Sequence, residues 1–173
     1  VLSHLHFDHC GGNCQRRDGK VVPTFPNATY HVNRSEFETA KNPDPRSRPS
    51  YQPHTWEVLE QTGRLVFTEH SAQIAPGIAL LATPGHTLHH QSVLVRSQGR
   101  TACFLADLAA TSAHLKTNYV MGFDLYPVLT MESRERVLKQ AAAEGWLLFF
   151  EHAADLLAGV LDTEGNLTPF DGV

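Results

Sequence analysis

The chain has 173 residues, 42% hydrophobic and 18% charged, with a formal net charge of −4. That length supports one domain with a real core. No run approaches the roughly 20 apolar residues of a membrane span, and no basic stripe offers a partner surface for a nucleic acid. Three cysteines, Cys10, Cys14 and Cys103, are an odd number and make no disulfide framework. Reduced thiols in a cytoplasmic protein are the expectation.

Val1 to Leu5 reads as the tail of a strand already under way. Any targeting segment would lie ahead of it, outside this sequence. Three histidines and an aspartate follow within six residues, His4, His6, Asp8 and His9, and Gly11-Gly12 then allows a tight turn. Ala28 to Val32 predicts a short strand. Asn33 with Glu36 forms a capping-box pattern for a helix over Arg34 to Ala40. Asn42 to His54 carries four prolines and reads as a long surface loop, either covering a site or simply connecting.

Leu65 to Thr68 and Ile78 to Ala82 predict strands, the second broken by Thr83-Pro84-Gly85 just before His86. Gln91 to Arg96 and Thr101 to Leu105 predict a hairpin that ends at Asp107. Met131 to Glu144 is the clearest helix, with Val137, Leu138, Ala141 and Ala142 on one face and Gly145 as its stop. Trp146 to Phe150 predicts a buried strand ending at Glu151-His152, and Leu161 to Phe170 a closing hairpin.

Four times, then, an apolar run ends in a residue type that can bind metal. Ligands at strand ends can converge on one sheet edge, where open α/β folds carry their sites. In extended chain, residues two apart point the same way, so His4 and His6 can address one ion and Asp8 with His9 a second. Imidazole and carboxylate together suit zinc, and also iron or manganese. Cys10 and Cys14 lie near the cluster, but four better ligands are adjacent. His31, His54 and His70 read as surface residues. His89, His90 and His114 are candidates to orient a ligand or face a substrate. Phe123, Leu125 and Tyr126 could line a pocket, with a core or interface role favoured.

These residues resemble the metallo-β-lactamase-fold hydrolases. The H-x-H-x-D-H motif stands as His4-Leu5-His6-Phe7-Asp8-His9, and the glycine-histidine-threonine motif as Gly85-His86-Thr87. The bridging aspartate matches Asp107 and the last histidine His152. Stretches such as "ADLAATSAHL", "MGFDLYP" and "EGWLLFFEH" resemble the branch of N-acyl-homoserine lactonases and methyl-parathion-hydrolase-like enzymes. Two departures are His89, where the branch commonly has a small residue, and Ala106-Asp107 in place of glycine-aspartate.

The resemblance implies a single α/β domain over residues 1–173, an αββα sandwich whose N-terminal strands are missing from this sequence. It implies two divalent metal ions, zinc first and iron or manganese next. His4, His6 and His86 would hold one, Asp8, His9 and His152 the other, and Asp107 would bridge. Asp8 and Asp107 are the candidate catalytic residues, Asp8 as a proton shuttle. The implied reaction is attack by a metal-activated hydroxide on a lactone or other ester. Phosphotriester or thioester hydrolysis stays open, as does an inactive truncated remnant. Iron redox chemistry and nuclease activity on the same fold are disfavoured by the intact His4 and His6 and by the −4 charge. The expected partner is a small-molecule substrate, with no nucleic acid or membrane and with a homodimer as an option.

With its first strands missing, the isolated chain would expose sheet edges and apolar faces. It is therefore expected to be poorly stable, or to fold only with a partner. Thermal melting combined with sedimentation checks this, and a cooperative melt of a monomer would contradict it.

Overall fold

The computed structural model describes residues 1–170. The chain divides into two compact units, Val1–Glu69 and a second from His70 on. Among the described residues, no helix is long and apolar enough to cross a membrane.

In the first unit the chain opens without a regular strand: Leu2 N–H donates to His31 O at 2.9 Å, and His6 makes a lone antiparallel bridge to Tyr51. The expected strand tail is thus an irregular segment with a bend at Ser3, held by isolated contacts. A one-turn helix follows, α1 (Phe7–Cys10). The hairpin β1 (Cys14–Arg17) and β2 (Lys20–Pro23) turns at Asp18-Gly19, both with positive φ. The strand β3 (Tyr30–Asn33) runs directly into α2 (Arg34–Lys41). A short helix α3 (Glu57–Gln61) leads to β4 (Leu65–Thr68), which pairs parallel to β3.

Alternation explains the placement of β3, because Tyr30 and Val32 are buried while His31 and Asn33 between them are half-buried. Their side chains join a core of Leu2, Leu5, Phe37, Trp56 and Leu59. The proline-rich stretch is more than a surface loop. Its prolines start two helical turns, Arg48–Ser50 and Pro53–Thr55, and between them Tyr51 enters the core at 4% exposure.

The capping box over α2 is only half formed. Asn33 Oδ1 accepts from Ser35 N–H at 2.9 Å and Glu36 N–H at 3.1 Å, as expected. Glu36, however, does not reach back to Asn33. Its carboxylate turns inward and accepts from Leu5 N–H and from the Tyr51 hydroxyl.

The second unit is a seven-stranded sheet and one long helix. Its strands are β5 (Ala72–Ala75), β6 (Ile78–Ala82), β7 (Gln91–Ser97), β8 (Arg100–Phe104), β9 (Leu147–Phe149), β10 (Ala158–Leu161) and β11 (Leu167–Pro169). They lie in the order β11-β10-β9-β8-β7-β6-β5. All neighbours are antiparallel except β8 and β9, which are joined through α4 (Pro127–Glu144). A parallel pair needs such a crossover. Helix α4 starts one turn earlier than the apolar pattern shows, at Pro127, whose fixed φ suits a first helical position. It ends at Gly145 with φ 65°, a left-handed cap that favours glycine.

Val137, Leu138 and Ala141 of α4 pack with Leu94, Cys103, Leu148 and Leu161 of the sheet, and Ala142 packs at the edge of this core. Residues alternating with these strand positions point to the other face. There the register aligns Val95, Ala102 and Leu147 in one row and Val93, Phe104 and Phe149 in the next. Val95 is 42% exposed and the others are half-buried.

After β8 the chain turns sharply through Ala106–Leu108, which places Asp107. Ala106 takes φ 49° and is fully buried. A left-handed alanine costs about 1–2 kcal/mol where glycine costs little. Ala106→Gly is therefore expected to raise stability by about 1 kcal/mol, read from the urea midpoint. Loss of stability would show that the alanine methyl, through packing, outweighs the strain.

Candidate metal centre

In the first unit the candidate ligand residues come from one short stretch, so their grouping is local. The His4 and His6 ring centroids are 4.5 Å apart, and those of His4 and His9 are 4.1 Å apart. His4 and His6 reach this from the irregular segment ahead of the helix, with His6 itself extended, while Asp8 and His9 lie on the one-turn helix that follows. His4 Nδ1 lies 3.1 Å from the Ser3 hydroxyl. Asp8 Oδ2 lies 3.5 Å from His9 Nε2, with the Asp8 side chain 44% exposed and that of His9 almost fully buried.

The support behind these ligands is a buried carboxylate. Glu36 is fully buried and accepts from Leu5 N–H at 3.2 Å, between the two histidines in sequence, and from Tyr51 Oη–H at 2.9 Å. The Tyr51 ring in turn stands edge-on to His6, 5.0 Å between centroids. Sequence reasoning gave Glu36 a helix cap and gave Tyr51 nothing, because both act across more than a dozen residues.

The second unit brings His86, Asp107 and His152 together. Asp107 Oδ2 lies 3.0 Å from His86 Nε2 and Asp107 Oδ1 lies 3.3 Å from His152 Nε2. One carboxylate thus turns a separate oxygen to each of two imidazole nitrogens. On its far side, His86 Nδ1 donates to Asp124 Oδ1 at 3.0 Å. Burial by itself lowers the His86 pKa, but hydrogen bonds and charge from Asp107 and Asp124 outweigh it and raise it to about 9. Imidazole nitrogens and carboxylate oxygens gathered in this way are of the kind that can bind a divalent cation.

The other predicted histidines fall into three roles. His90 is buried, its Nδ1 2.8 Å from Thr83 Oγ1 and 3.1 Å from Thr83 O, with the ring 6.0 Å from that of His86. His89 is half-buried and burial lowers its pKa. His114 Nδ1 accepts from Thr111 N–H at 3.3 Å, so this nitrogen caps the helical turn Ser112–Leu115. Of the surface readings, His54 and His70 are exposed and His31 is half-buried.

The cysteines are ill-suited to metal or redox chemistry. Burial pushes the Cys10 thiol up to about 11, and its Sγ–H donates to Leu5 O. Burial likewise raises Cys103 to about 12 and lifts Cys14 above its ordinary value. Phe123 and Tyr126 are not core residues, at 77% and 44% exposure, while Leu125 is half-buried.

Residues 1–152 match the Metallo-beta-lactamase superfamily. The N-acyl homoserine lactonase AiiA of Bacillus thuringiensis subsp. kurstaki is 29% identical over 155 residues, covering 88% of this chain and 54% of that protein. The chain thus spans about half the length of the curated relatives it matches. A probable metal-dependent hydrolase from Staphylococcus aureus has the same fold, with TM-score 0.87 and 23% identity over 99% of this chain and 61% of the other. An N-acyl homoserine lactone hydrolase, solved with N-hexanoyl-L-homoserine at its catalytic metal center, gives TM-score 0.68 and 28% identity over 88% and 54%. With its motif histidines, its Asp107 and its sheet all accounted for, the chain belongs to the metallo-β-lactamase superfamily.

Proposed function

We propose that this chain carries the metal centre of a metal-dependent hydrolase acting on a lactone or other ester. The observation that carries the reading is Asp107, whose two oxygens face His86 Nε2 and His152 Nε2 separately. A carboxylate so placed suits a bridge between two cations. The donors elsewhere are imidazoles and one more carboxylate, a set that fits zinc, iron or manganese. His4, His6 and His86 would hold one ion, Asp8, His9 and His152 the other, and Asp107 both. Two such ions supply Lewis acidity and a water acidic enough to react near neutral pH.

The side chains themselves do three things. Asp107 fixes the spacing of His86 and His152, at 4% exposure and therefore shielded from competing water. Asp8, partly exposed, can exchange protons with solvent and deliver one to a leaving alcohol. His90, anchored on Thr83, stands edge-on to His86 with 6.0 Å between ring centroids and fills the space beside it. No serine or cysteine nucleophile is required, and the raised thiol pKa values support that. The lactonases among the relatives support a lactone as the first substrate to test.

Elemental analysis of the purified protein should find about two zinc, iron or manganese ions per chain. It should hydrolyse an N-acyl-homoserine lactone, and Asp107→Ala should lower that rate by at least about 100-fold. Two ions without lactone turnover would move the substrate to other esters or phosphotriesters. Absence of metal from the wild-type protein would overturn the reading.

A further inference from the structure

Asp124 belongs to none of the family motifs, yet its side chain is fully buried against a motif histidine. A carboxylate at neutral pH accepts hydrogen bonds only, so the 3.0 Å contact from His86 Nδ1 to Asp124 Oδ1 puts a proton on Nδ1. The other oxygen is also engaged: Asp124 Oδ2 accepts from Met121 N–H at 3.0 Å, and Asp124 N–H donates back to Met121 O at 3.0 Å. The carboxylate is thereby oriented before it meets the imidazole.

The same segment holds the histidine backbone. Leu125 N–H donates to His86 O at 3.1 Å, and Tyr126 N–H donates to Gly85 O at 2.9 Å. Tyr126 then leads into α4, where Thr130 lies against Gly85 so closely that any Cβ on Gly85 would collide with the Thr130 backbone. Gly85 also has φ 143°, which side-chain-bearing residues rarely adopt. Buried Arg134, one turn further along α4, donates to Leu108 O at 2.8 Å and to Thr117 O at 3.2 Å. It ties the turn beside Asp107 to the segment that carries Asp124.

We propose that Asp124 is a positioning residue for the metal centre: it holds the Nδ1–H tautomer and ring orientation of His86, so that the Nε2 lone pair is kept for a cation on the Asp107 side. This rests on the reading of His86 as a metal ligand. The chemistry is that of an imidazole whose distal N–H is bound by a carboxylate, which both fixes the ring and makes the ligating nitrogen more basic. Asp107 cannot serve in this way, because its oxygens face Nε2 of His86 and Nε2 of His152.

The test uses the full protein, labelled with 15N-histidine, as wild type and as Asp124→Ala and Asp124→Asn. Zinc affinity is measured by competition with a chromophoric chelator. The His86 tautomer is read from long-range 15N–1H correlation, and a melt is recorded for each variant. In wild type, His86 should carry its proton on Nδ1 and bind zinc through Nε2. Asp124→Ala should weaken one of two zinc ions by about 10–100-fold and lose the fixed Nδ1 proton. Asp124→Asn keeps an accepting oxygen and should recover much of both, and it replaces the alanine variant if that one fails to fold. Variants that fold and bind both zinc ions as wild type does, with an unchanged His86 signal, would overturn the role of Asp124 alone. A wild-type chain that binds no zinc would overturn the metal reading itself.

Discussion

The His86 imidazole lies between two carboxylates, with Asp107 on Nε2 and Asp124 on Nδ1, and much of the second unit serves to hold that arrangement. Charged groups out of water are costly unless paired and hydrogen-bonded. Each of these is paired. Asp124 has Met121 N–H on its second oxygen, and Asp107 has His152. The sheet ends and the start of α4 are where such groups can be placed, because the backbone there still has free donors and acceptors to offer.

The first unit meets the same constraint with different parts. His4 and His6 sit in a segment outside the named strands, tied by Leu2 N–H to His31 O and by the bridge from His6 to Tyr51. A buried carboxylate adds to this. Glu36 takes the Leu5 N–H that separates the two histidines and, through Tyr51, supports the His6 ring. In the second unit the candidate ligand His86 is backed directly by Asp124, and in the first Glu36 acts through Leu5 N–H and the Tyr51 hydroxyl. Such backing turns a flexible imidazole into an oriented donor.

The family's glycine before Asp107 has a visible physical meaning here. Ala106 adopts the left-handed conformation that glycine takes freely, because the chain must reverse directly from β8 to aim Asp107. Gly85 marks the same demand at His86, where the obstacle is the Thr130 backbone rather than φ alone. Backbone conformation at these two positions decides where Asp107 and His86 point.

Much of the second unit was legible in the sequence. Ile78 to Ala82 is a strand with the expected ends, the hairpin around Gln98-Gly99 is present, and α4 buries the predicted face and stops at Gly145. Those features follow from local signals: alternation, helical period, and glycine at a positive φ. The candidate ligand residues could be named from the sequence too, since H-x-H-x-D-H gathers its donor types within six positions. What the sequence alone could not assign was the support. Asp124 meets His86 from 38 residues away, Glu36 meets Leu5 from 31, and Arg134 meets Leu108 from 26. A lone acid or arginine gives no local pattern that says which distant donor it will face. Only the packed chain decides that, because each buried charge must find its partner among whatever groups the fold places beside it.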